Sequence, residues 1–292
     1  MLVVSQETEL EQALSVHRRL GKVIGLVPTM GSLHEGHLKL VKVAQAECDI
    51  VVVTIFVNPT QFAPNEDFDK YPRNFVSDCD KLESIGADIL FAPSVDLIYP
   101  NGKDSCTKVI LPDSYTKILC GRSRPHFFDG VAQVCTILFN IVKPDIAVFG
   151  EKDRQQITIV RKMVKDLHIN IEIIGVPTVR EANGLAMSSR NNYLPVEKLS
   201  LASNLFKMME KTASAIKTGN HDYEKLCSSA CQQLTADGFQ VDYFEIRNLH
   251  DLSSNLSNDI CIFTAAWLDG TRLIDNYPLP SFNNHEGCGN GS

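Results

Sequence analysis

Apolar positions along this chain follow two alternating rhythms. Short β-branched runs, Lys22-Val23-Ile24-Gly25-Leu26-Val27 and Asp49-Ile50-Val51-Val52-Val53-Thr54-Ile55-Phe56-Val57, read as strands buried on both faces. Asp88-Ile89-Leu90-Phe91, Asp145-Ile146-Ala147-Val148-Phe149 and Asn170-Ile171-Glu172-Ile173-Ile174-Gly175-Val176 repeat the pattern. Between these runs apolar residues recur at helical spacing, predicting helices over residues 9–20, 38–44, 74–85, 127–142 and 154–167. The 93–111 segment mixes Pro, Gly and polar residues, with a further strand expected over 108–111. Strands and helices alternating at this spacing predict right-handed crossovers and a doubly wound, Rossmann-like parallel sheet over residues 1–178.

Beyond residue 178 the rhythm changes. Two amphipathic stretches, 196–218 and 223–237, are followed by strand patterns at 241–246, 260–267 and 271–276. This is the layout of a smaller α+β domain with an antiparallel sheet, over residues 179–280. The Gly/Asn-rich residues 281–292 are expected to form a disordered tail.

Composition narrows the class. A net charge of −7 argues against a broad basic face for nucleic acid, while leaving room for a local basic pocket. No apolar run reaches the roughly 18 residues of a membrane span. Met1-Leu2-Val3-Val4-Ser5-Gln6-Glu7 resembles neither a signal nor a transit peptide. The nine cysteines are an odd number without a Cys-x-x-Cys pair, which points to reduced thiols and a cytoplasmic protein.

The chemistry concentrates where the first strand gives way to a helix, in Pro28-Thr29-Met30-Gly31-Ser32-Leu33-His34-Glu35-Gly36-His37. Open α/β sheets bind ligands at such junctions, where free N–H groups and the helix dipole favour phosphate. Gly150-Glu151-Lys152-Asp153 follows the fourth run in the same way and brings a positive charge. If the two strands are neighbours, both segments face one crevice. Gly184-Leu185-Ala186-Met187-Ser188-Ser189-Arg190-Asn191 adds a third element, with Gly184 for flexibility and Arg190 to grip phosphate oxygens as a lid. Gln61 and Gln156 fit a small polar acid beside that cradle, since an amide orients an acid without fixing its charge. Zinc on His34 and His37 is the competing reading, but their spacing differs from the metalloprotease His-Glu-x-x-His.

These residues carry a resemblance. The 28–37 segment is similar to the signature of the pantoate–β-alanine ligases, within the His-x-Gly-His nucleotidyltransferase superfamily. The likeness continues through Phe56-Val57-Asn58-Pro59-Thr60-Gln61-Phe62, Tyr71-Pro72-Arg73, Gly150-Glu151-Lys152-Asp153-Arg154-Gln155-Gln156 and the 184–191 segment. It implies ATP-dependent condensation of pantoate with β-alanine through a pantoyl adenylate, releasing pyrophosphate and AMP. By the same resemblance, Met30, Gly31, Ser32, Leu33, His34, Glu35, Gly36 and His37 contact ATP, with His37 donating a proton to the leaving group. Gly150, Glu151, Lys152 and Asp153 hold ribose and phosphates, and Val179, Met187, Ser188, Ser189 and Arg190 complete the nucleotide site. The resemblance assigns catalysis to His34, His37, Lys152 and Arg190, pantoate and β-alanine to Gln61 and Gln156, and a place near the phosphates to Asn58. Magnesium accompanies ATP, with Asp78 as a potential ligand, and a homodimer is implied. The alternative within the superfamily transfers AMP or CMP to a small phosphorylated substrate.

Three positions depart from the family pattern. Arg124-Pro125-His126-Phe127-Phe128 stands where Arg-Pro-Gly-His-Phe is usual, so Phe127 occupies the histidine position and His126 is its only nearby substitute. Asn183 replaces a common aspartate, and Arg154 a usual aromatic residue.

Overall fold

The structure is a computed structural model and describes residues 1–62, 66, 68–256 and 259–280; the expected tail at 281–292 lies outside them. The first part of the chain runs β1 (Leu2–Val4), α1 (Glu7–Arg19), β2 (Ile24–Thr29), α2 (Glu35–Glu47), β3 (Ile50–Ile55), α3 (Phe75–Ser84) and β4 (Ile89–Phe91). Three single-turn helices follow, α4 (Val95–Ile98), α5 (Asp113–Thr116) and α6 (Cys120–Ser123), then α7 (Phe127–Val142), β5 (Ile146–Gly150), α8 (Arg154–Asp166) and β6 (Glu172–Val176). The six strands form one sheet in the order β1-β4-β3-β2-β5-β6, and every pairing is parallel.

Two differences from the sequence reading concern short segments. Leu2–Val4 pairs with β4 as an edge strand, although three residues are too few to show a period. The strand expected at 108–111 is absent, and the irregular chain there is held instead by the Gln133 amide on the carbonyl of Thr107, 3.1 Å.

Both faces of the sheet are covered, which explains the unbroken apolar runs. Leu26, Val52, Phe91 and Ala147 pack with Leu10 and Leu14 of α1, Val131 and Leu138 of α7 and Ile157 of α8. Val27, Val51, Val53, Leu90 and Val148 pack with Leu38, Val41 and Ala44 of α2 and Leu82 of α3.

The remainder comprises α9 (Val196–Ala202), α10 (Asn204–Lys217), α11 (Tyr223–Ala236), β7 (Gln240–Asn248), β8 (Ile260–Leu268) and β9 (Thr271–Leu279). The amphipathic stretch 196–218 is thus two helices meeting at buried Ser203. The three strands form an antiparallel meander in the order β7-β8-β9. Its Ile260, Ile262 and Leu268 pack with Leu205 and Met209 of α10 and Leu234 of α11. Tyr243, Cys261, Phe263 and Ala265, on the opposite face, join the core of the parallel sheet. Period-2 alternation has sent β8 into two cores at once.

Candidate active site

Strand order reverses between β2 and β5: the chain proceeds outward from β2 to β3 and β4, then returns to the other side of β2 with β5 and β6. That reversal opens a crevice at the carboxyl ends of the strands. The neighbouring β2 and β5 bring the two predicted loops together, as the sequence reading required. A cavity of about 450 Å³ lies there, and Met30, His34, His37, Lys152, Gln156 and Arg190 all reach it.

The loop after β2 is folded around a buried carboxylate. Asp78, 1% exposed on α3, accepts the N–H groups of Ser32 and Leu33, one on each oxygen, both at 2.8 Å. Gly31, at φ +80°, passes so close that a Cβ would lie 3.2 Å from the same carboxylate and 3.1 Å from Ile55. Asp78, expected as a potential magnesium ligand, thus spends one acceptor position of each oxygen on the loop. Gly31, Ser32 and Leu33 lie behind the cavity wall, and the Ser32 and Leu33 N–H groups are consumed by Asp78. Glu35 also stays outside, exposed on the first turn of α2.

The two histidines form a reciprocal cap on that helix. His34 is the N-cap, its Nδ1 accepting from Gly36 N at 3.1 Å, and His37 Nδ1 accepts from His34 N at 3.3 Å. Their ring centroids are 4.1 Å apart. With each Nδ1 acting as acceptor, the ring proton of the neutral form sits on Nε2. Burial is the main cause that holds the His37 pKa down at about 3, followed by His34, Lys152 and Lys81. Burial, then Lys152 and Lys81, lowers that of His34 to about 4. Both rings are therefore neutral at pH 7. In the ligand-free fold His37, expected as the proton donor, therefore offers a neutral Nε2–H.

The loop after β5 is a single tight turn, residues 151–153, leading into α8. The Lys152 ammonium is 3.7 Å from the Asp153 carboxylate, a loose ion pair at the cavity wall. Glu151, expected among the nucleotide contacts, forms a 2.6 Å ion pair with Arg154, which lines the cavity. In the third segment Arg180 and Ala186 bridge across a turn, Met187 N bonds Val179 O at 3.0 Å, and the Ser188 hydroxyl accepts from Arg190 N at 3.3 Å. Val179, Met187, Ser188, Ser189 and Arg190 all line the cavity, as do Gly36, Gly150 and Asp153. Gly184 is not a flexible point: at φ +92° it closes the turn, and a Cβ there would meet Phe206 at 2.5 Å.

Gln61 and Gln156 line the same cavity. The Gln61 Oε1 accepts from Asn58 Nδ2 at 2.9 Å, which orients the amide. Asn58 itself is 1% exposed, and also bonds Gly130 O, Thr60 and the Tyr99 hydroxyl. It braces the loop and also lines the cavity, near which it was expected. Phe127 lines the cavity beneath the Arg124 guanidinium, 3.8 Å from the ring centroid. His126 points outward with a side chain 88% exposed, at φ +69°, so it does not stand in for the missing histidine.

Several supporting residues escaped the sequence reading. Gln155 accepts from Cys120 N at 3.0 Å and donates to Tyr115 O and Ile118 O, holding the chain before α7. Lys81 donates to Leu33 O at 2.7 Å beside the histidines. Only the helical offset of Gln155 from Gln156 gave any hint of this in the sequence.

Open parallel strands ending in a histidine-capped helix, with a lysine on the neighbouring loop, define a Rossmann-like α/β protein with a crevice at the strand ends. A model of the pantoate-beta-alanine ligase family matches residues 2–278. The chain belongs to that family, and it is an enzyme. It is 48% identical over 278 residues to pantothenate synthetase from Hahella chejuensis, covering 94% of this chain and 98% of that protein. To pantothenate synthetase from Pseudomonas fluorescens SBW25 it is 48% identical over 281 residues, 96% and 99% of the two chains. The crystal structure of pantothenate synthetase from Thermus thermophilus superposes with a TM-score of 0.88 at 40% identity, covering 95% of this chain and 99% of that one. A pantoate-beta-alanine ligase from Francisella tularensis, complexed with beta-gamma ATP and beta-alanine, gives 0.80 at 34% identity, covering 95% and 97%.

Proposed function

We propose that this enzyme condenses pantoate with β-alanine at the expense of ATP, by way of a pantoyl adenylate. A pantoate carboxylate oxygen attacks the α-phosphorus, the bond to the β-phosphate bridging oxygen breaks, and pyrophosphate leaves. The neutral β-alanine amine then attacks the activated carbonyl carbon, its nitrogen loses a proton to solvent, and AMP departs with the electron pair of the acyl–oxygen bond. The carboxylate is already ionised at neutral pH, so the first step needs alignment and charge stabilisation more than a base.

In this reading the Nε2–H groups of His34 and His37, the Lys152 ammonium and the 188–190 segment hold the phosphates. Gly150 and Asp153 take the ribose, Val179 and Met187 the base. Gln61 and Gln156 hold pantoate beside the α-phosphate, with β-alanine entering near Gln61. The observation that carries the proposal is the single cavity reached by both histidines, Lys152, Arg190 and the two glutamines. Cationic and neutral N–H donors suit the triphosphate, and the amides suit a hydroxy acid. Mg²⁺ enters this scheme with ATP, held largely by its phosphates, and no step is assigned to it.

No helix among the described residues is long and apolar enough to cross a membrane. A cytoplasmic homodimer completes the proposal, on the strength of the family resemblance. The decisive measurement is isotope exchange between pyrophosphate and ATP. Exchange should require pantoate and proceed without β-alanine. Exchange that is independent of pantoate, or that answers to a phosphorylated substrate instead, would defeat the proposal.

A further inference from the structure

Asp275 and Asn276 of β9 lie in the small antiparallel sheet, yet they hold two of the three cavity loops. Both are buried, at 6% and 2% exposure. The Asn276 Nδ2 donates to the carbonyls of Glu151 and Lys152, at 2.8 and 2.9 Å. A carboxamide nitrogen has two hydrogens, and here each finds the carbonyl of one of two successive residues. The Asn276 N–H is anchored on Asp275 Oδ1 at 2.8 Å, so the amide starts from a fixed main chain. Asp275 in turn takes the Arg180 guanidinium in a two-pronged pair at 2.6 and 3.0 Å. The same guanidinium donates to Gly184 O at 3.1 Å and lies over the Phe206 ring, 3.9 Å from its centroid.

We propose that this strand end positions the nucleotide: Asn276 sets Lys152 through its main chain, and Asp275, through Arg180, sets the turn from which residues 187–190 enter the cavity. The inference rests on reading that cavity as the ATP site. Neither residue needs to touch ATP, since both act through the loops they hold. The Asn276 amide is buried, so moving the two carbonyls away would leave its N–H groups unpaired. A two-pronged carboxylate–guanidinium pair fixes orientation as well as distance. The two residues are adjacent, so the loops from β5 and from residue 180 onward are registered against each other by one rigid strand.

Asn276→Asp keeps the size of the side chain but turns both donors into an acceptor facing two carbonyls, which must push Lys152 away. Displacements of about 1 Å near reacting groups can cost about 100-fold in rate. This variant should therefore lose about 10- to 100-fold in kcat, with the KM for pantoate within about twofold of the parent. Asp275→Asn keeps the shape and removes the negative charge that faces Arg180. It should raise the KM for ATP about tenfold, again sparing pantoate. A merely structural role would erode both substrates' KM values together. Calorimetric titration with ATP alone reads the same device without turnover, and Asp275→Asn should weaken that binding about tenfold. Should Asn276→Asp fail to fold, Asp275→Asn and Arg180→Lys decide the matter. Folded variants that match the parent in kcat and in ATP affinity overturn the inference, as does a pantoate KM that rises in step with that for ATP. If the parent binds ATP but forms no pantothenate, the proposed reaction falls while the binding test still stands.

Discussion

His34 and His37 show how a residue's chemistry is set by what surrounds it. In the unfolded chain each imidazole titrates near pH 6.5. In the fold, burial first and then the neighbouring cations hold them at about 4 and about 3. As the pH falls below 6.5 the unfolded chain takes up protons that the fold refuses, so stability declines towards the folded values and is undiminished above 6.5. The thermal midpoint of the ligand-free enzyme should therefore drop between pH 6.5 and 5. The double variant His34→Asn/His37→Asn should flatten that slope, and an equally steep slope would refute this account of the pair. Asp78 makes a related point. Its carboxylate, buried on α3, shapes the loop on which the histidines stand.

At the scale of elements, the turn at Gly184 is the most exacting piece of backbone in the site. Its positive φ and its approach to Phe206 on α10 leave no room for a side chain. Gly184→Ala should cost about 1–3 kcal/mol in urea unfolding, combining backbone strain with the displacement of Phe206. A variant as stable as the parent would show the turn to be free to relax. The helix at 127–142 and the junctions after β2 and β5 were legible in the sequence, because strand, loop and helix succeed one another within a few residues. β1 and the irregular 108–111 segment were not, since their states depend on which distant backbone lies alongside.

Across the molecule as a whole, the antiparallel sheet belongs to two cores, one with α10 and α11 and one shared with the parallel sheet. Buried apolar surface common to two layers couples their unfolding. Calorimetry should show a single transition for the 292-residue chain, and two separated transitions would contradict the shared core. The same assembly brings Lys152 and Arg190 from distant segments of an acidic chain, net charge −7, into one cavity.

Local pattern was enough to specify the strand–helix alternation and the loops that join β2 and β5 to their helices. Both follow from the period of apolar positions and from a strand leading directly into its own helix. Which of those residues face the cavity, and what holds them, was settled only when the chain folded. Asp78 reaches Ser32 across 46 positions, Arg180 meets Asp275 across 95, and Asn276 meets Glu151 across 125. Such bonds from side chains to distant backbone or charge have no period and no fixed spacing. They exist only once the chain has closed, because burial away from water makes each of those polar groups require its partner.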